Sequence, residues 1–166
     1  MDPDMSRSML AAAEKKAMEL GIRVAICVVD AGGNIVMFER RNGPQLASTV
    51  IAQGKAYTAV ARRAPSGNLW PIAQPGAAGY GINTIDSCFV LSVGGVPIIF
   101  GDDVSGGIGV SGGTAEQDGK HPRFALGAHG RWPGADYAAA AIETCAAALI
   151  SAFQFHGISS SIRWAG

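Results

Sequence analysis

Apolar and polar positions along the chain follow helical and strand-like spacings in turn, and the first clear pattern is helical. Five apolar residues near the N-terminus recur every three or four positions: Met5, Met9, Ala13, Ala17 and Leu20. This spacing predicts an amphipathic helix over residues 4–20. Gly21 follows, where a left-handed C-terminal cap is expected.

Two strand-like segments come next. Residues 24–29 (VAICVV) are apolar at every position, which predicts a strand covered on both faces. The turn-forming residues 30–34 (DAGGN) precede residues 35–40 (IVMFER), which predict the returning strand. An antiparallel hairpin is the simplest arrangement of this pair.

A second helix is predicted over residues 45–62, and it ends before Pro65 because the residue before a proline avoids helical backbone angles. The expected packing face combines larger apolar residues with small ones: Leu46, Val50, Gly54, Tyr57 and Ala61. Lys55 is expected to be exposed on this helix, with burial beside a ligand as the alternative. Residues 65–83 are rich in proline and glycine, which predicts an ordered loop with one short helical turn.

Three further strands are predicted, over residues 88–93 (CFVLSV), 96–100 (VPIIF) and 104–110 (VSGGIGV), and a last helix over 136–155. The order is therefore α-β-β-α-β-β-β-α. Consecutive strands are joined by hairpins and not by crossover helices, so the predicted fold class is α/β of the α+β type, with a mainly antiparallel sheet. We expect a single domain over residues 1–166, with a mainly antiparallel five-stranded sheet flanked by helices.

The composition narrows the class of protein. Of the 166 residues, 48% are hydrophobic and 16% are charged, which is typical of a globular domain and favours coverage of some surface by another subunit. Thirteen basic residues balance thirteen acidic ones without a basic run, which argues against nucleic acid as a partner. No apolar run reaches the roughly 18 residues that span a bilayer, and no signal peptide is recognised. We expect a cytoplasmic protein without a membrane partner.

Three isolated cysteines, Cys27, Cys88 and Cys145, fit reduced and buried thiols better than a disulfide framework. They have no zinc-ligand spacing, and neither have His121 and His129, which are eight positions apart. The sequence therefore predicts no metal-ion site built from these side chains.

The segment SGGTAEQD at residues 111–118 is the most informative turn signal. Gly112 and Gly113 permit unusual backbone angles, and Thr114 with Gln117 has the spacing of a capping box. A glycine-rich turn that leads into a helix presents backbone N–H groups to a carboxylate or phosphate. The alternative is that these residues only cap a helix.

Several segments together resemble one known family: VVDAGGNIV, AQGKAYTAV, AQPG with the later YGIN, GGVPI and GGIGVSGGTAEQD. They are similar to the GlcG/HbpS-like family (DUF336, with the C-terminal domain of PduO-type proteins), in register over about residues 5–118. The resemblance implies an antiparallel sheet flanked by helices and a homo-oligomer, which would be a dimer, tetramer or octamer. For several members it also implies binding of haem or a related tetrapyrrole.

The chain departs from the family pattern after this turn. Gly119 and Pro122 interrupt the expected helix, and residues 119–135 intervene before it resumes near Asp136. Some relatives ligate haem iron through an N-terminal histidine, and this chain has no histidine before His121. That particular ligand is therefore excluded.

The intervening segment concentrates side chains that suit an anionic aromatic ligand: His121, Arg123, His129, Arg131 and Trp132. Arginine offers a planar fork for carboxylates, and histidine exchanges protons near neutral pH or binds iron. The alternative is a loop with solvated charges that closes over a neighbouring subunit.

Other residues are candidates with structural alternatives. Glu116 and Asp118 are possible general bases or ligand contacts, although acidic groups are expected in a first helical turn. Asn83 is either a ligand contact or a turn residue, and His156 is read as a helix cap. His121, His129 and Glu116 are the catalytic candidates if the protein is an enzyme.

Two functions from different classes remain open. The first is a small-ligand-binding protein that takes haem or a related tetrapyrrole. The second is a cofactor-independent lyase, isomerase or hydratase that acts on a small organic or aromatic carboxylic acid. A purely structural, oligomer-forming subunit is a third interpretation.

Overall fold

The computed structural model of the protein describes residues 1–41, 44–100 and 102–113. In these ranges the helices are α1 (Pro3–Glu19), α2 (Ala47–Arg62), α3 (Leu69–Ile72) and α4 (Ile82–Ile85), with a 3-10 turn at Ser66–Asn68. The strands are β1 (Arg23–Asp30), β2 (Ile35–Arg40), β3 (Gly95–Phe100) and β4 (Asp103–Gly113). The α+β class expected from the sequence is confirmed for this part of the chain.

The four strands form one sheet in the order β2-β1-β4-β3, and every neighbouring pair is antiparallel. The β1–β2 and β3–β4 pairs are hairpins, and the central β1–β4 pair joins them. The antiparallel arrangement is therefore confirmed. The expected fifth strand is wrong for the described part of the chain, where the sheet has four.

The missing strand is the apolar segment 88–93, whose backbone groups bond to side chains instead of a neighbouring strand. The Val90 N–H donates to Thr58 Oγ1 at 2.9 Å, and the Ser92 carbonyl accepts from Ser66 Oγ at 2.6 Å. Buried backbone groups need partners, and here hydroxyl groups supply them. The segment therefore packs along α2 without entering the sheet.

Helix α1 begins and ends within one residue of the predicted bounds, 4–20, and Asp2 caps its start. The Asp2 carboxylate accepts hydrogen bonds from the backbone N–H groups of Asp4 and Met5, both at 2.9 Å. This satisfies two of the amide groups that every helix N-terminus leaves unpaired. Gly21 has a φ of 65° beyond the other end, as its left-handed cap requires.

One face of the sheet is covered by α1. Buried side chains of α1 pack with alternate residues of β1 and their counterparts on β3 and β4: Met5, Met9, Leu10, Ala13, Ala17, Val24, Ile26, Val28, Ile98, Ile108 and Val110. The residues between them on β1, such as Cys27, face α2. Six consecutive β1 residues are consequently buried, which confirms the strand covered on both faces.

Helix α2 lies on the opposite face, and glycines allow it to come close. A Cβ added at Gly109 would collide with the Ala52 carbonyl and lie 2.6 Å from the Ala56 nitrogen. The expected packing face of α2 is wrong at its start, since Leu46 and Val50 are exposed. The helix instead packs through small side chains, because only these fit at such a short distance.

The segment between α2 and β3 is ordered and contains two short helices and a 3-10 turn, against the one helical turn expected. No helix among the described residues is long and apolar enough to cross a membrane. The helix predicted over residues 136–155 lies outside the described residues.

Candidate functional site

Lys55 is the buried charged residue of α2, and it lies where the helix packs on β4. Its side chain is 2% exposed, and Nζ donates a hydrogen bond of 3.0 Å to the Val110 carbonyl. The expectation of an exposed lysine is therefore wrong. The physical reason is the close packing of α2, since a Cβ at Gly95 would collide with the Lys55 carbonyl.

Gly112 and Gly113 lie in strand β4 and not in a turn. They pair with Val24 and Arg23 of β1 in the antiparallel ladder. Gly112 is required for close approach, since a Cβ there would collide with the Arg23 backbone. The sequence predicts that a turn begins at Ser111, and this is wrong for residues 111–113. These residues continue strand β4, because its pairing with β1 extends to Gly113. Lys55 meets the same strand two residues before Gly112.

Asn83 lies on α4, where it is exposed, whereas Lys55 is buried. The remaining candidates lie outside the described residues and stay predictions: Thr114, Glu116, Asp118, His121, Arg123, His129, Arg131 and Trp132. The structure thus brings Lys55 together with the end of β4, whereas Asn83 is exposed on α4.

A second polar arrangement joins α2 to the segment before β3. The Tyr57 hydroxyl donates a hydrogen bond of 2.7 Å to Asp86 Oδ2, and the Cys88 N–H donates to Asp86 Oδ1 at 2.9 Å. The bond from Tyr57 lowers the pKa of the Asp86 carboxyl group, and the same bond raises the pKa of the Tyr57 phenol. Asp86 was not a candidate from the sequence, although it is the one charged residue between positions 64 and 101.

The turn between β1 and β2 touches the same tyrosine. The Asp30 carboxylate accepts from the backbone N–H groups of Asn34 at 2.9 Å and Gly32 at 2.8 Å, and its pKa is lowered chiefly by the Asn34 N–H. Gly33 in this turn has a φ of 79°, and a Cβ there would lie 2.7 Å from the Tyr57 ring. Tyr57 therefore links the hairpin turn to Asp86.

A cavity of about 250 Å³ lies on the other face of the sheet, between α1 and the β1–β2 hairpin. Its floor is mostly apolar, and at its rim Arg41 pairs with the carboxylates of Glu14 and Glu39. Ligand pockets usually measure roughly 300–1,000 Å³, so this cavity is small. Among the described residues, no cluster of three or more histidine, cysteine or acidic side chains suits a metal ion.

Comparison with known proteins places the chain in a family. Residues 1–126 match the family described as "Haem degrading protein HbpS-like". An uncharacterized 15.0 kDa protein from the dhaT-dhaS intergenic region of Citrobacter freundii is 40% identical over 114 residues, 68% of this chain and 80% of that protein. Corrinoid adenosyltransferase PduO of Salmonella typhimurium is 37% identical over 108 residues, which are 64% of this chain but 32% of PduO.

Solved structures give the same result. The Klebsiella pneumoniae protein ORFY, of the DUF336 family, superposes with a TM-score of 0.75 and 27% identity, and the match covers 92% of this chain and 90% of that one. A PduOC complex with heme superposes with a TM-score of 0.73 and 25% identity, over 91% and 94% of the two chains. The family match over residues 1–126, the 40% identity to the Citrobacter freundii protein and the similar fold of ORFY lead to one conclusion. This chain belongs to the HbpS-like family.

Proposed function

We propose that the protein binds haem or a related tetrapyrrole, and that Lys55 attracts a carboxylate of this ligand at the end of β4. The observation that carries the proposal is the burial of the Lys55 ammonium group, which is 2% exposed and bonded to the Val110 carbonyl. The membership of the HbpS-like family and the likeness to the heme complex of PduOC support the choice of ligand.

Burial makes this ammonium group an effective anion contact. Two opposite charges attract far more strongly in a protein interior than in water, because fewer water molecules screen them. The Val110 carbonyl is a neutral acceptor, and a carboxylate that approaches along β4 would add an opposite charge. A tetrapyrrole with carboxylate side groups and an apolar ring system fits such a combination.

The described residues fit one part of a haem site. Lys55 is suited to a propionate, and the small residues Gly112 and Gly113 would let a ligand approach the backbone of β4. The three histidines, His121, His129 and His156, all lie outside the described residues, and the sequence assigns iron ligation to none of them. Haem, when bound, would supply an iron atom that a histidine side chain could coordinate. The cavity of about 250 Å³ beside α1 is too small for a tetrapyrrole.

A titration with haemin tests the proposal. We expect a Soret band shift at micromolar haemin, and Lys55→Met should weaken binding by about 10-fold or more, since it removes a charge-assisted hydrogen bond. Lys15→Met is the matched control, because Lys15 is exposed on α1 and should not matter. Haemin dimethyl ester, which lacks the carboxylate charges, should bind equally weakly to the wild type and to the Lys55→Met variant.

Two results would overturn the proposal in separable ways. If micromolar haemin causes no spectral change, the protein does not bind haem and the whole proposal is wrong. If the wild type binds haemin and its dimethyl ester with equal affinity, Lys55 does not bind a carboxylate of the ligand. This comparison uses only the wild type, so it holds even if the Lys55→Met variant is poorly folded. A panel of small carboxylic acids, scored by increase in Tm, tests the alternative of an acid-binding enzyme, since a ligand that binds the folded state raises its stability.

A further inference from the structure

We infer that the cavity between α1 and the β1–β2 hairpin binds a small primary ammonium compound that carries an apolar group. This cavity, called here the α1 cavity, is bordered by α1, by the start of β1 and by the end of β2 with Arg41. The inference does not depend on haem binding, because the α1 cavity lies on the face of the sheet that α1 covers. Lys55 belongs to α2, on the opposite face.

The first observation is the size and the apolar floor of the α1 cavity. Its volume is about 250 Å³, and its floor includes Ala17, Ile22, Val24 and Ile26. An apolar cavity of roughly 150 Å³ takes up a molecule of the size of benzene. The α1 cavity therefore has room for one aromatic ring or a short alkyl chain, together with a polar head group.

The second observation is a buried hydrogen-bond acceptor at the edge of this floor. The atom Glu14 Oε1 is buried and accepts no hydrogen bond from the described residues. Arg41 Nε contacts it as an ion pair, but this nitrogen carries a single hydrogen, which it donates to Glu39 Oε1 at 2.6 Å. A buried polar atom without a partner costs free energy. A ligand that brings an N–H group to Glu14 Oε1 therefore adds a hydrogen bond that the described residues do not supply.

The third observation is the distribution of charge around the α1 cavity. The carboxylates of Glu14 and Glu39 share one guanidinium group, that of Arg41. The Arg41 side chain is 71% exposed, against 19% for Glu14 and 32% for Glu39, so the negative charge lies on the inner side. Arg23 also borders the cavity, but the alternation of β1 places it with Cys27 among the residues that face α2. The charges thus favour a cation over an anion.

A primary ammonium group meets both polar conditions. It is a cation with three N–H donors, and a charge-assisted hydrogen bond to Glu14 Oε1 is stronger than one from a neutral donor. The apolar group of the same ligand covers the floor. A carboxylate ligand would meet two carboxylates, and a hydrocarbon would leave Glu14 Oε1 without a partner.

Three probes of similar shape test the inference on the wild type: benzylamine, benzyl alcohol and benzoate. They differ in the charge of the head group, and saturation-transfer NMR titrations at neutral pH, where benzylamine is protonated, compare their affinities. We expect benzylamine to bind at least about 10-fold more tightly than benzyl alcohol, because its hydrogen bond joins two charged groups. Benzoate should bind more weakly still. The inference is wrong if benzylamine does not bind or if benzyl alcohol binds as tightly.

Substitutions locate the bound amine. Glu14→Gln should weaken benzylamine binding about 10-fold, because it removes the charge from the acceptor. Glu19→Gln is the matched control, since it makes the same change at an exposed residue of α1 that does not border the cavity, and it should leave the affinity unchanged. Arg41→Gln should strengthen binding several-fold, because the amine then has no guanidinium group to compete with for the two carboxylates.

The direction of the Arg41→Gln effect separates a binding site from a merely structural ion pair, since a loss of structure would weaken binding. The inference is also wrong if Glu14→Gln binds benzylamine as tightly as the wild type does, or if folded Arg41→Gln binds it more weakly. Circular dichroism checks that each variant is folded. The comparison of the three probes needs only the wild type, so it decides the question even if a variant does not fold.

Discussion

The Tyr57 hydroxyl lies 2.7 Å from Asp86 Oδ2 and donates a hydrogen bond to it, although the two residues are 29 positions apart. The tyrosine ring also lies against Gly33 in the turn between β1 and β2. One side chain of α2 therefore connects the tip of a hairpin to the segment that precedes β3. The arrangement favours the ionised carboxyl group of Asp86 and the protonated phenol of Tyr57 together.

Replacement of Tyr57 by phenylalanine should lower Tm by a few degrees at neutral pH, because the variant loses this hydrogen bond and keeps the ring. The folded state lowers the pKa of Asp86, so its contribution is present above the ordinary carboxyl pKa and is lost as pH falls through the lowered value. The folded state raises the pKa of Tyr57, so that contribution is present below the ordinary phenol pKa of about 10 and is lost as pH rises through the raised value.

The difference in Tm between the wild type and Tyr57→Phe should therefore be greatest between these two limits and shrink in strong acid and strong base. Tyr80→Phe is the control, since Tyr80 is an exposed tyrosine whose loss should change Tm little. A difference in Tm that is constant from acid to alkaline pH would show that the hydroxyl acts without the Asp86 carboxylate.

Gly109 should not tolerate even a methyl group. Its added Cβ would collide with the Ala52 carbonyl and lie 2.6 Å from the Ala56 nitrogen, and these are backbone atoms of α2 that cannot rotate away. We expect Gly109→Ala to lower the free energy of unfolding by about 3 kcal/mol, as overpacking in a core does. Urea denaturation followed by circular dichroism measures this change.

Gly32→Ala provides the comparison for that experiment. A Cβ at Gly32 would meet only the ends of side chains, 3.0 Å from Asn34 Nδ2 and 3.3 Å from Asp30 Oδ1, and these can move. Its effect should be clearly smaller. Equal stability of the two variants would contradict the close packing of α2 on β4.

The sequence predicts the parts of this fold that depend on local signals. Helix α1 follows from its apolar spacing and from Gly21, and the β1–β2 hairpin follows from its turn residues; both are confirmed. The apolar segment 88–93 has the composition of a strand, and what decides otherwise is the supply of hydrogen bonds from Thr58 and Ser66, which lie far away in sequence. Local patterns do not contain such long-range bonds.

The same limit applies to the candidate site. The burial of Lys55 depends on glycines in β3 and β4 that let α2 approach, and no pattern within α2 itself indicates this. Asp86, in contrast, could have been noticed from the sequence, because it is an isolated charge in an uncharged stretch. Such a charge needs a hydrogen-bond partner or contact with solvent. The roles of His121 and His129 stay predictions, because they rest on residue type alone, in the segment where the chain departs from the family pattern.

The cysteines should differ sharply in reactivity. Cys27 is fully buried in β1, and burial raises the pKa of its thiol to about 12. Cys88 is exposed, which corrects the expectation that it is buried. It begins segment 88–93, which does not enter the sheet. Since the thiolate is the reactive form, iodoacetamide at pH 8 should alkylate Cys88 within minutes and leave Cys27 unmodified until denaturant is added. Peptide mass mapping separates the two sites from Cys145. Alkylation of Cys27 in the folded protein at a rate similar to that of Cys88 would contradict its place in the core between α2 and the sheet.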